Sequence, residues 1–87
     1  MMATIEVYSG GYCPYCLRAK SLLKQRGLEF AEYDVQAEPE RRAEMAERAP
    51  GVRTIPQVFI NDRHVGGCDE LYALDKKGEL EKWVASA

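Results

Sequence analysis

No stretch of about 18 consecutive apolar residues occurs in this chain, and no basic segment followed by an apolar one opens it, so neither a membrane-spanning helix nor an export leader is expected. The protein is therefore expected to be cytoplasmic. Excess charge of one sign is missing too: 12 basic residues against 14 acidic ones leave a net −2, which offers no general attraction for nucleic acid or an anionic membrane. Cysteine is scarce. Three thiols, an odd number with one close pair, make no disulfide framework. Linkers, repeats and low-complexity segments are absent, and 87 residues with 46% apolar and 30% charged content are expected to form one domain, 1–87, with a modest core.

What is present is Cys13-Pro14-Tyr15-Cys16. Thr4-Ile5-Glu6-Val7-Tyr8 alternates like a strand, Ser9-Gly10-Gly11 breaks it, and a helix is predicted to begin close to Cys13. Pro14 suits the first helical position, where a missing N–H costs nothing, so Cys13 would cap the helix with its sulfur facing the unpaired N–H groups of the first turn. Such a site stabilises an anion, which makes Cys13 the predicted nucleophilic thiolate. Cys16, one turn further in, is predicted to stay a buried thiol and to displace whatever becomes attached to Cys13. The alternative is half of a zinc site completed by His64 and Cys68. A zinc knuckle usually turns back on a glycine after its second cysteine, whereas Leu17-Arg18-Ala19-Lys20 continues as good helix, so no metal is expected.

Periodicity fills in the rest. Cys16, Ala19, Leu22 and Leu23 form one buried face of the first helix, with Gly27 just past its end. The outer side carries Arg18, Lys20, Lys24 and Arg26, of which Arg18 is near enough to the thiols to help hold an anionic substrate. Leu28 to Val35 reads as a second strand, parallel to the first because a helix separates them. Glu38-Pro39-Glu40 opens a helix to about Arg48 with Met45, Ala46 and Ala49 inward, and Pro50-Gly51 stops it. Gln57 to Ile60, the turn Asn61-Asp62 and Arg63 to Val65 make a hairpin. Gly66-Gly67 ends that strand, Asp69 to Leu74 is a short helix, and Leu80 to Val84 forms a final helical cap around Trp83. The order β-α-β-α-β-β-α, with that cap, specifies an α/β fold: a small four-stranded mixed sheet with helices on both faces.

Over nearly its whole length the chain resembles the glutaredoxins. The resemblance rests on Tyr8 with Cys13-Pro14-Tyr15-Cys16, on Arg53-Thr54-Ile55-Pro56 and on Gly66-Gly67-Cys68-Asp69, in the family's order and spacing. It implies a thioredoxin-like fold and a glutathione-dependent enzyme that reduces protein disulfides and protein–glutathione mixed disulfides, Cys13 attacking and Cys16 resolving. It further implies that Pro56 is a cis-proline, that the Ile55 backbone pairs with the cysteine of glutathione, and that Tyr15, Thr54, Gly67, Cys68 and Asp69 complete the site. Asp69 would accept the γ-glutamyl ammonium, a role compatible with capping its helix. Glutaredoxins commonly carry a basic residue three positions before the nucleophile, and here that position is Gly10. Arg48 and Arg53 are the expected replacements facing the glycine carboxylate. Glutathione is thus the expected co-substrate of a monomer whose partners are disulfide-containing or glutathionylated proteins, ribonucleotide reductase among the candidates. Two alternatives stand beside this. One is a redoxin served by thioredoxin reductase, favoured by Gly10; the other is a module whose Cys13 shares an iron–sulfur cluster with glutathione and a second chain, disfavoured by Pro14.

Overall fold

The computed structural model describes residues 4–85. Its elements are β1 (Ile5–Ser9), α1 (Pro14–Gln25), β2 (Ala31–Asp34), α2 (Pro39–Arg48), β3 (Gln57–Ile60), β4 (Arg63–Gly66), α3 (Cys68–Lys76) and α4 (Leu80–Ala85). The sheet order is β2-β1-β3-β4, with β1 parallel to β2 and antiparallel to β3, and β3 antiparallel to β4. This is the mixed sheet of the thioredoxin-like fold. The β3–β4 turn carries Asn61 and Asp62 at φ 51° and 66°, the left-handed pair that a two-residue hairpin needs.

Because β1 is an interior strand, its alternating side chains serve two cores. Ile5 and Val7 join Val58 and Ile60 against Ala19, Leu22 and Leu23 of α1, Leu71 of α3 and Leu80 of α4. On the opposite face Tyr8 and Phe59 pack with Val35, Met45 and Ala49 under α2. The anticipated inward face of α1 is buried as read, and Gly27 at φ 70° follows its end.

Three elements depart from the sequence reading. The second strand covers only Ala31–Asp34, because the Leu28 amide closes α1 on the Leu23 carbonyl at 3.0 Å and Leu28 and Phe30 pack onto the larger core before pairing begins. In α2, Ala46 is exposed, while Glu44 and Arg48 turn toward the sheet beside buried Met45. The cause is Tyr8, whose buried hydroxyl donates to Glu44 and accepts from Arg48 Nη1 at 2.8 Å. The third helix starts at Cys68, so Gly67, not Asp69, is its N-cap, and the Glu70 carboxylate takes the Gly67 N–H at 2.7 Å.

Leu23 has no exposed surface and lies at the centre of the larger core, whereas Leu17 on the same helix is 61% exposed. Leu23→Ala is expected to cost about 2 to 5 kcal/mol in urea unfolding, and Leu17→Ala less than about 0.5 kcal/mol.

Candidate active site

The end of β1 and the start of α1 bring the two thiols into place. Cys13 is extended (φ −143°, ψ 101°) as the N-cap of α1, Pro14 follows it, and the Cys16 N–H donates to Cys13 Sγ at 3.2 Å. The sulfur thus takes the place that a serine or aspartate oxygen usually holds at a helix start, where backbone donors and the helix dipole favour negative charge. Cys13 is partly exposed and Cys16 buried. Burial, with the Cys13 sulfur beside it, holds the Cys16 thiol well above the ordinary cysteine range. Tyr12 is fully exposed and Tyr15 and Leu17 more than half exposed, so an apolar rim surrounds the cap.

Across from the sulfur runs the segment before β3. The Ile55–Pro56 bond is cis, as the resemblance implies, and Cys13 Sγ lies 3.7 Å from the Ile55 carbonyl oxygen, to which the thiol can donate. A groove of about 280 Å³ opens beside it, lined by Tyr15, Thr54, Ile55, Pro56, Gly67, Cys68, Asp69 and Glu70. Seven of these are residues singled out in the sequence. At Gly67 a side chain would press on the Pro56 carbonyl oxygen at 3.3 Å, so glycine keeps the two walls close. Cys68 is buried beneath this wall, and its burial raises the thiol pKa. Glu70 was not anticipated; its signal was the third-position acid after a glycine cap.

Similarity to known proteins follows the same residues. The glutaredoxin family model matches residues 5–65. The chain belongs to the glutaredoxin family. A probable glutaredoxin of Synechocystis is 52% identical over 84 residues, 97% of this chain and 96% of the relative, and glutaredoxin 3 of Escherichia coli K12 is 48% identical over 80 residues, 92% and 95% of the two chains. Among solved structures, a glutaredoxin from Brucella melitensis superimposes with a TM-score of 0.82 at 52% identity, covering 95% of this chain and 89% of its own. A buckwheat glutaredoxin–glutathione complex does so at 0.85 and 32%, covering 94% and 76%. Thiol–disulfide oxidoreduction is the activity that family membership carries.

In this glutaredoxin neither expected arginine lines the groove. Arg48 lines no part of the groove. Its guanidinium pairs with Glu6 at 2.9 Å and Asp62 at 3.3 Å and lies 4.0 Å from the centre of the Phe59 ring. Asp62 sits in the β3–β4 turn, and the register of β1 with β3 puts that turn at the end of the sheet opposite Cys13. The partly buried Glu6 carboxylate and the buried Tyr8 phenol have drawn Arg48 away from the thiol end. Arg53 is exposed in the loop preceding Thr54 and is likewise not a lining residue. Gly10 is buried, and a Cβ there would lie 2.7 Å from Ile55 Cδ1 and 2.8 Å from Gln36 Cδ. A lysine at that position would therefore displace the groove's own Ile55 side chain while adding charge. Arg18 lies over the Tyr72 ring, 5.4 Å from its centre. His64 and Cys68, the alternative metal ligands, stand apart in role, one bonded to Gln57 and the other under the groove. Among the described residues no group of three or more His, Cys, Asp or Glu side chains could hold a metal ion.

Burial keeps Cys16 and Cys68 as thiols while Cys13 is accessible and accepts from the Cys16 amide, so iodoacetamide at neutral pH is expected to modify Cys13 first; mass mapping that finds Cys68 ahead would overturn the assignment. Arg48→Ala is expected to cost about 1 to 3 kcal/mol by taking the guanidinium from the Tyr8 hydroxyl and from Glu6, which keeps only the Tyr33 hydroxyl, with thiol-transfer kinetics unchanged in the folded fraction.

Proposed function

We propose that this glutaredoxin is a dithiol enzyme that uses glutathione to reduce protein disulfides and protein–glutathione mixed disulfides. The observation that carries the reading is the Cys13 sulfur, capped by the Cys16 amide and 3.7 Å from the Ile55 carbonyl, at the edge of a groove ending in the α3 N-terminus. A small peptide thiol suits that groove. Its cysteine backbone can add to the free edge of Ile55 as an extra strand, and its α-carboxylate can reach the amides at the start of α3, with Asp69 beside them for an ammonium. The glutathione complex of the buckwheat relative supports this ligand.

With a mixed disulfide, the Cys13 thiolate attacks the glutathione sulfur, the substrate leaves as a thiolate and takes up a proton, and Cys13 carries glutathione. A second glutathione thiolate attacks that bound sulfur, releasing oxidised glutathione and restoring Cys13. With a protein disulfide, Cys13 becomes linked to the substrate. Cys16 then loses its proton and attacks Cys13 Sγ, the substrate departs reduced, and two glutathiones reopen the Cys13–Cys16 disulfide. Keeping Cys16 protonated until that moment prevents it from competing for the incoming substrate. The apolar rim of Tyr12, Tyr15 and Leu17 offers the face on which a protein substrate would rest.

Cys13→Ser is expected to abolish all thiol transfer, and Cys16→Ser to keep deglutathionylation while losing most protein disulfide reduction. Equal residual activity in the two would overturn these roles. Turnover is expected with glutathione plus glutathione reductase; turnover with thioredoxin reductase alone would favour the redoxin reading, which the missing cation at Gly10 supports. If exposed Arg53 steers the glycine carboxylate, Arg53→Ala will raise KM for glutathione by about two- to five-fold, an effect that shrinks with added salt.

A further inference from the structure

Apart from Ser9, Gln57 is the only polar residue buried among those described, at 3% exposure, and the sequence reading assigned it no task beyond opening a strand. Its side chain is fully used. Gln57 Nε2 donates to the Thr54 carbonyl at 3.0 Å and to Thr54 Oγ1 at 3.3 Å, while Oε1 lies 2.6 Å from His64 Nε2. The Thr54 carbonyl can only accept, which fixes the amide's nitrogen toward Thr54 and its oxygen toward His64. His64 Nε2 must then carry the hydrogen. The imidazole is held in turn by the Phe59 ring, 4.9 Å away between centres at 30°. Burial lowers the His64 pKa, with the Arg48 charge adding to that and Glu70 opposing it; Nε2 donates in the neutral Nε2–H form and the charged form alike.

The bonded carbonyl belongs to the peptide linking Thr54 to Ile55, a trans unit, since the cis bond among the described residues is Ile55–Pro56. In a planar trans peptide the N–H points opposite to the C=O. With the Thr54 carbonyl held inward by Gln57, the Ile55 N–H is aimed outward, on the side of the groove. We infer that Gln57 and His64 are positioning residues: the chain from His64 through Gln57 to Thr54 orients the Thr54–Ile55 peptide so that the Ile55 backbone is ready to pair with an extended substrate backbone. This rests on the reading above, in which that edge receives glutathione. A merely structural amide would serve stability alone, because none of its bonds reaches a thiol.

The test compares Gln57→Leu, which removes both ends of the chain, with His64→Phe, which keeps a ring beside Phe59 and removes only the Nε2 donor. For a cysteine–glutathione mixed disulfide, KM is expected to rise by a factor of about 5 to 10 in Gln57→Leu, the weight of one well-oriented hydrogen bond, and by a smaller factor in His64→Phe. In both, kcat and the iodoacetamide rate of Cys13 should stay within about two-fold of the parent, since the Cys16 amide that caps the sulfur is untouched. An unchanged KM in folded variants overturns the proposal, as does an equal fall in kcat and alkylation rate, which would mean that the site as a whole has loosened. If Gln57→Leu does not fold, His64→Phe decides. Should the parent protein show no glutathione-dependent turnover, the glutathione reading fails, and KM for a cystine-bridged peptide, which meets the same edge, decides the positioning role.

Discussion

The bond from the Cys16 amide to the Cys13 sulfur is the constraint around which the working end of the molecule is arranged. It makes the nucleophile a structural member of α1, so the sulfur is held where the helix begins and not where a flexible loop would leave it. The helix is held in its turn by Ala19, Leu22 and Leu23 against a sheet strand that is buried on both faces. The groove's second wall, at the start of α3, reaches the same core through Cys68 and Leu71. Nucleophile and groove wall thus share one apolar foundation.

Much of this was legible because it is local. A cysteine before a proline at a helix start, a left-handed Asn-Asp pair and an amphipathic stripe at 3.6-residue spacing each declare themselves within a few residues. The seven groove residues fall in three short stretches, at Tyr15, Thr54-Ile55-Pro56 and Gly67-Cys68-Asp69, and were reached through the family resemblance those stretches carry. Two of the readings that failed, at Arg48 and Ala46, turn on partners far apart in sequence. Arg48 was expected on the groove rim because it ends the second helix, shortly before Thr54-Ile55-Pro56, yet Glu6 and Asp62 lie 42 and 14 positions away and decide where it goes. Ala46 lost its inward place to neighbours that answer a hydroxyl on β1. Gln57 was invisible as anything but a strand opener because both its partners, Thr54 and His64, meet it only once the segment before β3 and the hairpin are folded.

The two faces of the sheet are built on different physics. The side of α1, α3 and α4 is almost wholly apolar. The side of α2 mixes five buried residues with a network in which Tyr8, burial and Glu44 together pushing its pKa up to about 12, ties Glu44 to Arg48, while Arg41 lies over Tyr33. Apolar contact is not screened by ions, whereas paired charge at a partly exposed face is weakened by added salt.

That asymmetry divides the enzyme by stiffness. Native proteins open in units, and the unit with the least buried apolar surface opens first. Here that unit is α2 with the loop behind it, where Val52 and Ile55 lean on the smaller core. Local opening would slacken Thr54 and Ile55 while α1 and its sulfur stayed in place. The groove is thus seated unevenly: its Ile55 side leans on the smaller core, whereas the sulfur and the α3 wall rest on the larger one, so loosening of the α2 side reaches the ligand's backbone partner before it reaches the thiol.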